Sequence, residues 1–485
     1  MKRWLTASAI SVAIVLRLLG YFRNGSLWFD EAALALNIID RPLLSLFGSL
    51  EFHQGAPVGF LAVEKIVSSI LGPGELALRL FPLISGLLTV LLVTDVARLY
   101  VSPGVVPLAT ALVAVNPSLI NYSSEAKQYS SDALVTLVLL LAFARLAKSD
   151  LRGKKMVVFA LIGSIAVWLS HPAVFLLASA AVVFLLSTHT DKSRFVRLIC
   201  ILAIWTASFA ASYVLSLRRL EGDGFLVNFW AQYFPPRPIG SLHTLLWLFD
   251  AFLISFRDPA GLATVPAMGL FVAGCAGLFK RNQALGWIVS GSCLALVLAA
   301  FVHKYPLGSR LLIFAVPVIL LLVAEGVATV SIRLPYGKLA QVAVGCFVLF
   351  QPFVNAVRGL AGTQRDDIRP VIEYVEAHGH PSDVWYVYSE AELQMRYYSE
   401  VLGLRATWKL GSACKDDAAC YARDIDSLVG SNRVWIILSH VLIRDKTDDR
   451  AILVQQLDRK GRRIEEFSSH SARAYLYDLS SPGGG

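Results

Sequence analysis

Long apolar runs separated by short polar segments fill the first 360 residues of the chain. A helix that crosses a bilayer needs about 20 mostly apolar residues. On that measure the pattern predicts about eleven spans, at 1–21, 79–99, 105–120, 133–147, 156–170, 173–187, 198–216, 262–279, 284–301, 307–330 and 339–358. The first opens Met1-Lys2-Arg3-Trp4, is interrupted by Arg17, and shows no small-residue cleavage site before Trp28-Phe29-Asp30. It therefore reads as a span with a cytoplasmic N-terminus and not as a signal peptide. Basic residues set the direction of the rest. Clusters at Arg145/Lys148/Arg152/Lys154/Lys155, Lys192/Arg194/Arg197, Lys280/Arg281 and Arg333/Lys338 all face the cytoplasm under one assignment only. That assignment requires 56–72, which carries Glu64 and Lys65, to lie at the outer interface without crossing, and 242–256, which holds Asp250, to do the same. The outer face then collects 23–78, 121–132, 171–172, 217–261, 303–306 and everything after 360.

From about residue 361 charged residues become frequent and apolar runs shorten to strand length. Helical spacing at 369–378, 391–401 and 450–460 alternates with strand-like runs at 383–388 and 433–438, which predicts a small α/β domain. The expected organisation is a membrane domain over 1–360, with 23–78 as its first outer loop, and a periplasmic or extracellular domain over 361–485.

Composition agrees with a membrane protein and excludes several alternatives. Of 485 residues, 56% are hydrophobic and 16% charged, against roughly 45–50% and about 25% in soluble proteins. Disorder, collagen-like repeats and a multidomain cytosolic enzyme are ruled out on these numbers. The net charge of +9 fits cytoplasmic loops or an anionic ligand better than nucleic acid, which is not an expected partner. Four cysteines, Cys200, Cys275, Cys293 and Cys346, sit in apolar runs. Cys414 and Cys420 share a polar loop of the tail, where an oxidising compartment favours a disulfide.

The polar outer segments hold the candidate chemistry. Asp30 and Glu31 adjoin each other just beyond the first span; the pair reads either as a helix start capped by Asp30 or as a desolvated base. Asn121 to Asp132 packs Glu125, Lys127, Tyr129 and Asp132 between two spans. His53 follows the acidic loop, and Lys304 precedes Arg310 at the start of a late span. A cation at lipid depth is a functional candidate, and a guanidinium binds phosphate oxygens as a fork. Together these residues suggest a site where membrane meets water, able to hold a phosphate whose apolar tail lies in the bilayer.

With these surroundings, Asp30-Glu31 resembles the first outer motif of the GT-C superfamily of integral-membrane glycosyltransferases, in its protein O-mannosyltransferase and aminoarabinose-transferase branches. Phe52 to Pro57 falls where those branches carry a short proline-containing motif, although the aminoarabinose branch has Glu-Lys-Pro there. Ala77 to Pro82 resembles the start of their second span. Tyr122 to Tyr129 resembles their second outer acidic motif, and Lys304 to Arg310 a late segment facing the lipid phosphate. The resemblance covers roughly residues 1–330. It implies a GT-C-like helical fold and transfer of a sugar, usually with inversion, from a polyprenyl-phosphate donor to an envelope glycan, lipid or protein acceptor. It also implies a bacterial cytoplasmic membrane, with membrane lipids as the other partners. In this frame Asp30 is the general base and Glu31 its support. His53, Glu125, Lys127, Tyr129, Asp132, Lys304 and Arg310 bind substrate or phosphate. No cofactor is expected beyond a divalent metal ion, for which Asp30, Glu125 and His53 are the candidate ligands. The competing reading is a transporter or flippase of a lipid-linked glycan, although transporters place ionisable residues near the midplane.

Overall fold

A computed structural model describes residues 2–220, 222–361, 366–441, 443–444 and 447–480. Each of the eleven expected spans is a helix or a pair of helices. Seven of the described helices are long and apolar enough to cross a membrane: Arg3–Phe22, Glu75–Tyr100, Tyr129–Leu146, Lys192–Leu220, Gln283–Phe301, Ser309–Ser331 and Gly337–Gly359. The others fall short of that length or apolarity. The two segments read as interfacial are the helices Val58–Leu71 and Leu242–Arg257.

The run 105–120 is not one helix. It forms Val106–Ala114 and Pro117–Asn121, with Asn116 between them accepting a hydrogen bond from the Leu119 N–H at 2.9 Å. Pro117 has no N–H to return to the Val113 carbonyl, so the break leaves carbonyl acceptors of buried residues without helical partners. Arg17 supplies the missing donors: fully buried, it reaches the carbonyls of Val113, Ala114 and Ala13, each at 3.2 Å. The charge that interrupts the first span is thus a structural donor. Tyr129 and Asp132, expected in a loop, instead form the first turn of Tyr129–Leu146.

Helices Thr264–Arg281 and Val316–Ser331 pack backbone to backbone. A Cβ on Gly274 would lie 1.8 Å from the Leu322 carbonyl oxygen, and one on Gly326 would lie 1.8 Å from that of Leu270. At one end the buried Glu325 accepts from the Ser102 N–H at 2.5 Å and pairs with Arg281. Small residues let membrane helices approach this closely. Gly274→Ala and Gly326→Ala are expected to cost about 1–3 kcal/mol each through overpacking. Gly269→Ala, where a Cβ meets nothing within 4 Å, is the neutral control. Melting of the purified protein in detergent checks this, and equal melting of all three would refute it.

By contacts the chain divides into two compact units. One is 1–23, 42–70 and 79–361; the other is 24–41, 71–78 and 362–485. The division is therefore not a single cut at residue 360, because 24–41 and 71–78 belong with the tail. The tail's sheet is built from β1 (Val384–Val387), β2 (Trp408–Leu410), β3 (Val434–Leu438), β6 (Arg462–Ser469) and β7 (Ala472–Asp478), with a separate two-residue ribbon of β4 (Ile443–Arg444) and β5 (Thr447–Asp448). Its order is β2-β1-β3-β7-β6. β1 runs parallel to β2 and β3, and β7 runs antiparallel to β3 and β6. Helices Ala418–Asp426 and Asp449–Lys460 cover one face, burying Tyr421, Ile425, Leu453 and Leu457 against Ile436 and Tyr477. On the other, Tyr374 of helix Arg369–His378 stacks on Phe467. Cys414 and Cys420 are disulfide-bonded. Their loop is fastened to Asp449, which accepts from the Asp416 N–H at 3.1 Å and from the hydroxyls of Tyr388 and Tyr421.

Candidate functional site

Asp30 stands in the first turn of the helix Phe29–Asp40, half-buried, behind an extended Trp28. A carboxylate is favoured there by the helix dipole. Glu31, one residue on, is buried and accepts from the Trp28 N–H at 3.4 Å, so it caps its own helix. The backbone leading into this turn is held by the tail domain. Ser26 donates its hydroxyl to Asp367 at 2.6 Å. The Leu27 N–H donates to the Tyr398 hydroxyl at 2.7 Å, and Gln394 donates to the Leu27 carbonyl at 2.8 Å. Arg369 reaches the Asn24 carbonyl at 2.7 Å and the Glu75 carboxylate at 2.6 Å. Burial pushes the Asp367 carboxyl up, but the hydroxyls of Ser26 and Ser469, the Ser26 N–H and the His470 charge together hold it below the usual range. Asp30 thus sits on a turn fixed by hydrogen bonds on both sides of the entering strand.

The other candidates belong to the membrane unit. Arg310 lies on a 3-10 turn, Ser309–Ala315, with its guanidinium 5.9 Å from the centre of the Tyr129 ring and 5.4 Å from that of Trp230. Contacts of this kind use the ring faces and hold the cation in place. Asp132 is buried one turn into the helix that Tyr129 starts. Tyr305 packs edge-on against Phe175 at 5.2 Å and donates to the Leu311 carbonyl at 2.8 Å, which braces the turn that carries Arg310. Lys304, just past the turn that ends the helix Gln283–Phe301, is exposed.

Lys127 is buried and donates to Gln54 at 2.7 Å, while Gln128 donates to the Gly55 carbonyl at 3.2 Å. These two bonds pin the 53–57 motif against the 122–129 motif, so two segments distant in sequence form one cluster. Glu125 lies in the bend just before Lys127, within the second of these motifs, and is half-buried. Gln54 also lines a polar cleft with Ser49, Ser216, Arg219 and Asp223. The Nδ1 of His53 pairs at 2.9 Å with Asp223, which lines that cleft, and its ring stacks on Phe225 at 4.4 Å. Asp223 also caps the helix Gly224–Phe229. Burial raises the Asp223 carboxyl, but the His53 hydrogen bond and the capped N–H groups outweigh it and hold it below the usual range.

Sequence reasoning missed Trp230, Asp223 and the buried role of Gln54. Trp230 left a signal that was passed over, an aromatic cluster at helical spacing with Leu226, Tyr233 and Phe234. Among the described residues no three His, Cys, Asp or Glu side chains come together as a metal site.

Residues 55–216 match the dolichyl-phosphate-mannose-protein mannosyltransferase family. No protein of curated function matches the chain in sequence. Among solved structures, ArnT from Cupriavidus metallidurans bound to undecaprenyl phosphate is 14% identical, with 99% of each chain covered and a TM-score of 0.55. Its apo form gives 13%, 98% of each chain and 0.55. The archaeal oligosaccharyltransferase AglB from Archaeoglobus fulgidus, in complex with an inhibitory peptide and a dolichol-phosphate, is 13% identical with a TM-score of 0.52, over 98% of this chain and 74% of that one. At these identities the likeness is one of fold, and it bears out the GT-C-like helical architecture with a small C-terminal sheet domain.

Proposed function

We propose that this chain of GT-C fold is a glycosyltransferase that moves a sugar from a polyprenyl-phosphate donor to an acceptor at the outer face of a bacterial cytoplasmic membrane, with inversion. The observation that carries the reading is Arg310, a cation clasped by Tyr129 and Trp230 on a turn at the mouth of a long apolar helix. A lipid phosphate needs a partner of that kind: a guanidinium at the depth where headgroup gives way to tail. The ArnT structure with undecaprenyl phosphate bound lends the same fold to that chemistry.

The step itself needs two things. The acceptor hydroxyl must lose its proton as its oxygen attacks the anomeric carbon, and the bond from that carbon to the phosphate oxygen must break. Asp30 takes the proton, which a general base at this point makes worth about 10²–10⁴ in rate. Arg310 offsets the charge that grows on the departing phosphate, with Lys304 in reach of solvent as an electrostatic aid. Lys127 serves by orienting Gln54 and the 53–57 motif. Glu125, Tyr129 and Asp132 shape the same end of the unit. The disulfide in the tail domain supports an outer location for residues 361–485.

The test is to delete the gene in its host, profile lipid-linked sugars and envelope glycans by mass spectrometry, and complement with wild type or variants at matched membrane levels. A donor that accumulates while one glycan loses a sugar, with wild type restoring both, is the expected result. Loss of a whole glycan with its lipid-linked oligosaccharide precursor trapped on the inner leaflet would instead favour a flippase.

A further inference from the structure

The polar cleft beside the 53–57 motif has the build of a ligand site. It is formed by the 46–61 and 216–223 stretches, both within the unit of 1–23, 42–70 and 79–361, and encloses about 390 Å³ open to solvent. That falls within the roughly 300–1,000 Å³ of small-molecule clefts. Leu46, Leu61 and Leu220 give it an apolar wall, while Ser49, Gln54, Ser216, Arg219 and Asp223 supply polar groups. Three of these are held in place by the chain around them. Gln54 accepts from the buried Lys127 at 2.7 Å. Arg219 donates to the Phe47 carbonyl at 3.2 Å. Asp223 is held by His53 and by the N–H groups of Phe225 and Leu226. Ser216 sits where the long helix widens into a π turn, Tyr213–Leu217, a local departure that recurs at functional sites. Gln128, also buried, donates to the carbonyl of Gly55 in the same lining at 3.2 Å, and its Oε1 has no partner among the described residues.

We propose that this cleft binds an uncharged saccharide of the acceptor and seats it beside the lipid phosphate. The inference deepens the transferase reading and rests on it. A pyranose presents C–H groups on its faces and hydroxyls round its edge, so it needs an apolar wall together with amide, hydroxyl and carboxylate partners. The lining offers both. Among the described residues it carries one guanidinium and one carboxylate, a balance that suits an uncharged ligand. A phosphorylated one would meet the Asp223 carboxylate, and like charges brought together select against a ligand. Two connections put the cleft next to the Arg310 turn. Tyr129, two residues beyond Lys127, has its ring centre 5.9 Å from the Arg310 guanidinium. By the second route Phe225 stacks on His53 and on Phe229, Phe229 packs edge-on to Trp230 at 5.1 Å, and Trp230 lies 5.4 Å from Arg310. The donor's sugar is tethered to the phosphate and arrives through the membrane. Ser49 and Arg219 are exposed, so the cleft fills from water, which is the acceptor's side.

Two measurements on the full-length protein in lipid nanodiscs test it. The first needs no turnover: saturation-transfer NMR with the methyl glycosides of glucose, mannose, galactose and N-acetylglucosamine, each compared with its phosphate ester. At least one neutral glycoside is expected to bind, and more tightly than its phosphate ester. Ser216→Leu and Arg219→Gln are each expected to weaken that binding roughly tenfold. Ser216 is half-buried and Arg219 exposed, so both variants are expected to melt with wild type. No binding of any neutral glycoside, a preference for the phosphate esters, or binding that survives both substitutions overturns the proposal. The second uses the lipid extract of the deletion strain as donor and its sugar-deficient envelope glycan as acceptor. The same variants are expected to raise the acceptor KM roughly tenfold with the donor KM unmoved. A shift in the donor KM instead gives the cleft to the donor's sugar and overturns the acceptor assignment. If wild type binds a glycoside but transfers nothing from any lipid-linked sugar, the transferase reading itself falls, a result separable from the outcome at the cleft.

Discussion

Asp30→Asn is expected to reduce turnover of the lipid-linked donor by about 10²–10⁴, or about 3–5 kcal/mol of barrier, while the protein remains folded and in the membrane. The substitution is nearly isosteric, so the hydrogen bonds that hold the preceding Ser26 and Leu27 to Asp367, Tyr398 and Gln394 stay in place. What is lost is the capacity to accept the acceptor's proton. Because an amide at that position still occupies the helix N-terminus, the melting temperature in detergent is expected to stay within a degree or two of wild type. The neighbouring Glu31→Gln behaves in the opposite sense. Its carboxylate caps its own helix, so the loss appears in stability and only weakly in rate. A rate that falls equally for both variants would contradict the division of labour assigned to the pair.

Removal of Arg310 has the second-largest expected effect. Arg310→Ala is expected to cost about 10²–10³ in kcat/KM for the donor, the range seen when one preorganised charge stabiliser is deleted. Arg310→Lys keeps the charge but loses the planar fork and much of the stacking on Tyr129 and Trp230, so it should recover only part of the loss. Trp230→Ala loosens the clasp without removing the cation. It is expected to raise the donor KM several-fold, as befits a contact of about 0.5–2 kcal/mol. The informative comparison is between donors. If the three variants weaken a polyprenyl-phosphate donor and leave binding of the free acceptor unchanged, the phosphate assignment stands. Equal weakening of both would place Arg310 in the architecture of the unit and not at the phosphate.

The fold was legible along the chain to the extent that lipid imposes it. An apolar run of span length has to become a helix in a bilayer, since no water is present to satisfy an exposed backbone. Each expected span is accordingly helical, and the two charged segments held back from crossing are short helices. The break at Asn116-Pro117 was not foreseen, although proline marks it, because the apolar pattern continues unbroken through both pieces. In the tail, strands β1 and β3 and three helices followed from local pattern. β6 and β7 did not, since Arg462–Ser469 is an edge strand with mostly exposed side chains and little apolar alternation.

The site divides in the same way. Asp30, Glu125, Lys127 and Arg310 stood out as candidates because charges at the ends of apolar spans are costly to desolvate. Their individual roles were not readable. Whether a carboxylate is a base or a cap depends on which N–H lies within about 3 Å of it, and Glu31 proved a cap. Whether a lysine faces a ligand or a neighbour depends on burial, and Lys127 proved to be bound to Gln54.

The sequence by itself determined that this is a multi-span helical membrane protein with a small α/β tail, because hydropathy and charge act locally and need only the neighbouring residues to be read. Only the tertiary structure decided that 24–41 belongs to the tail's compact unit, that Trp230 closes over Arg310, and that His440 stands against Phe29. Those pairings join residues as much as 411 positions apart in the chain. No periodicity records them, because they are fixed by the closing of distant loops around a shared core.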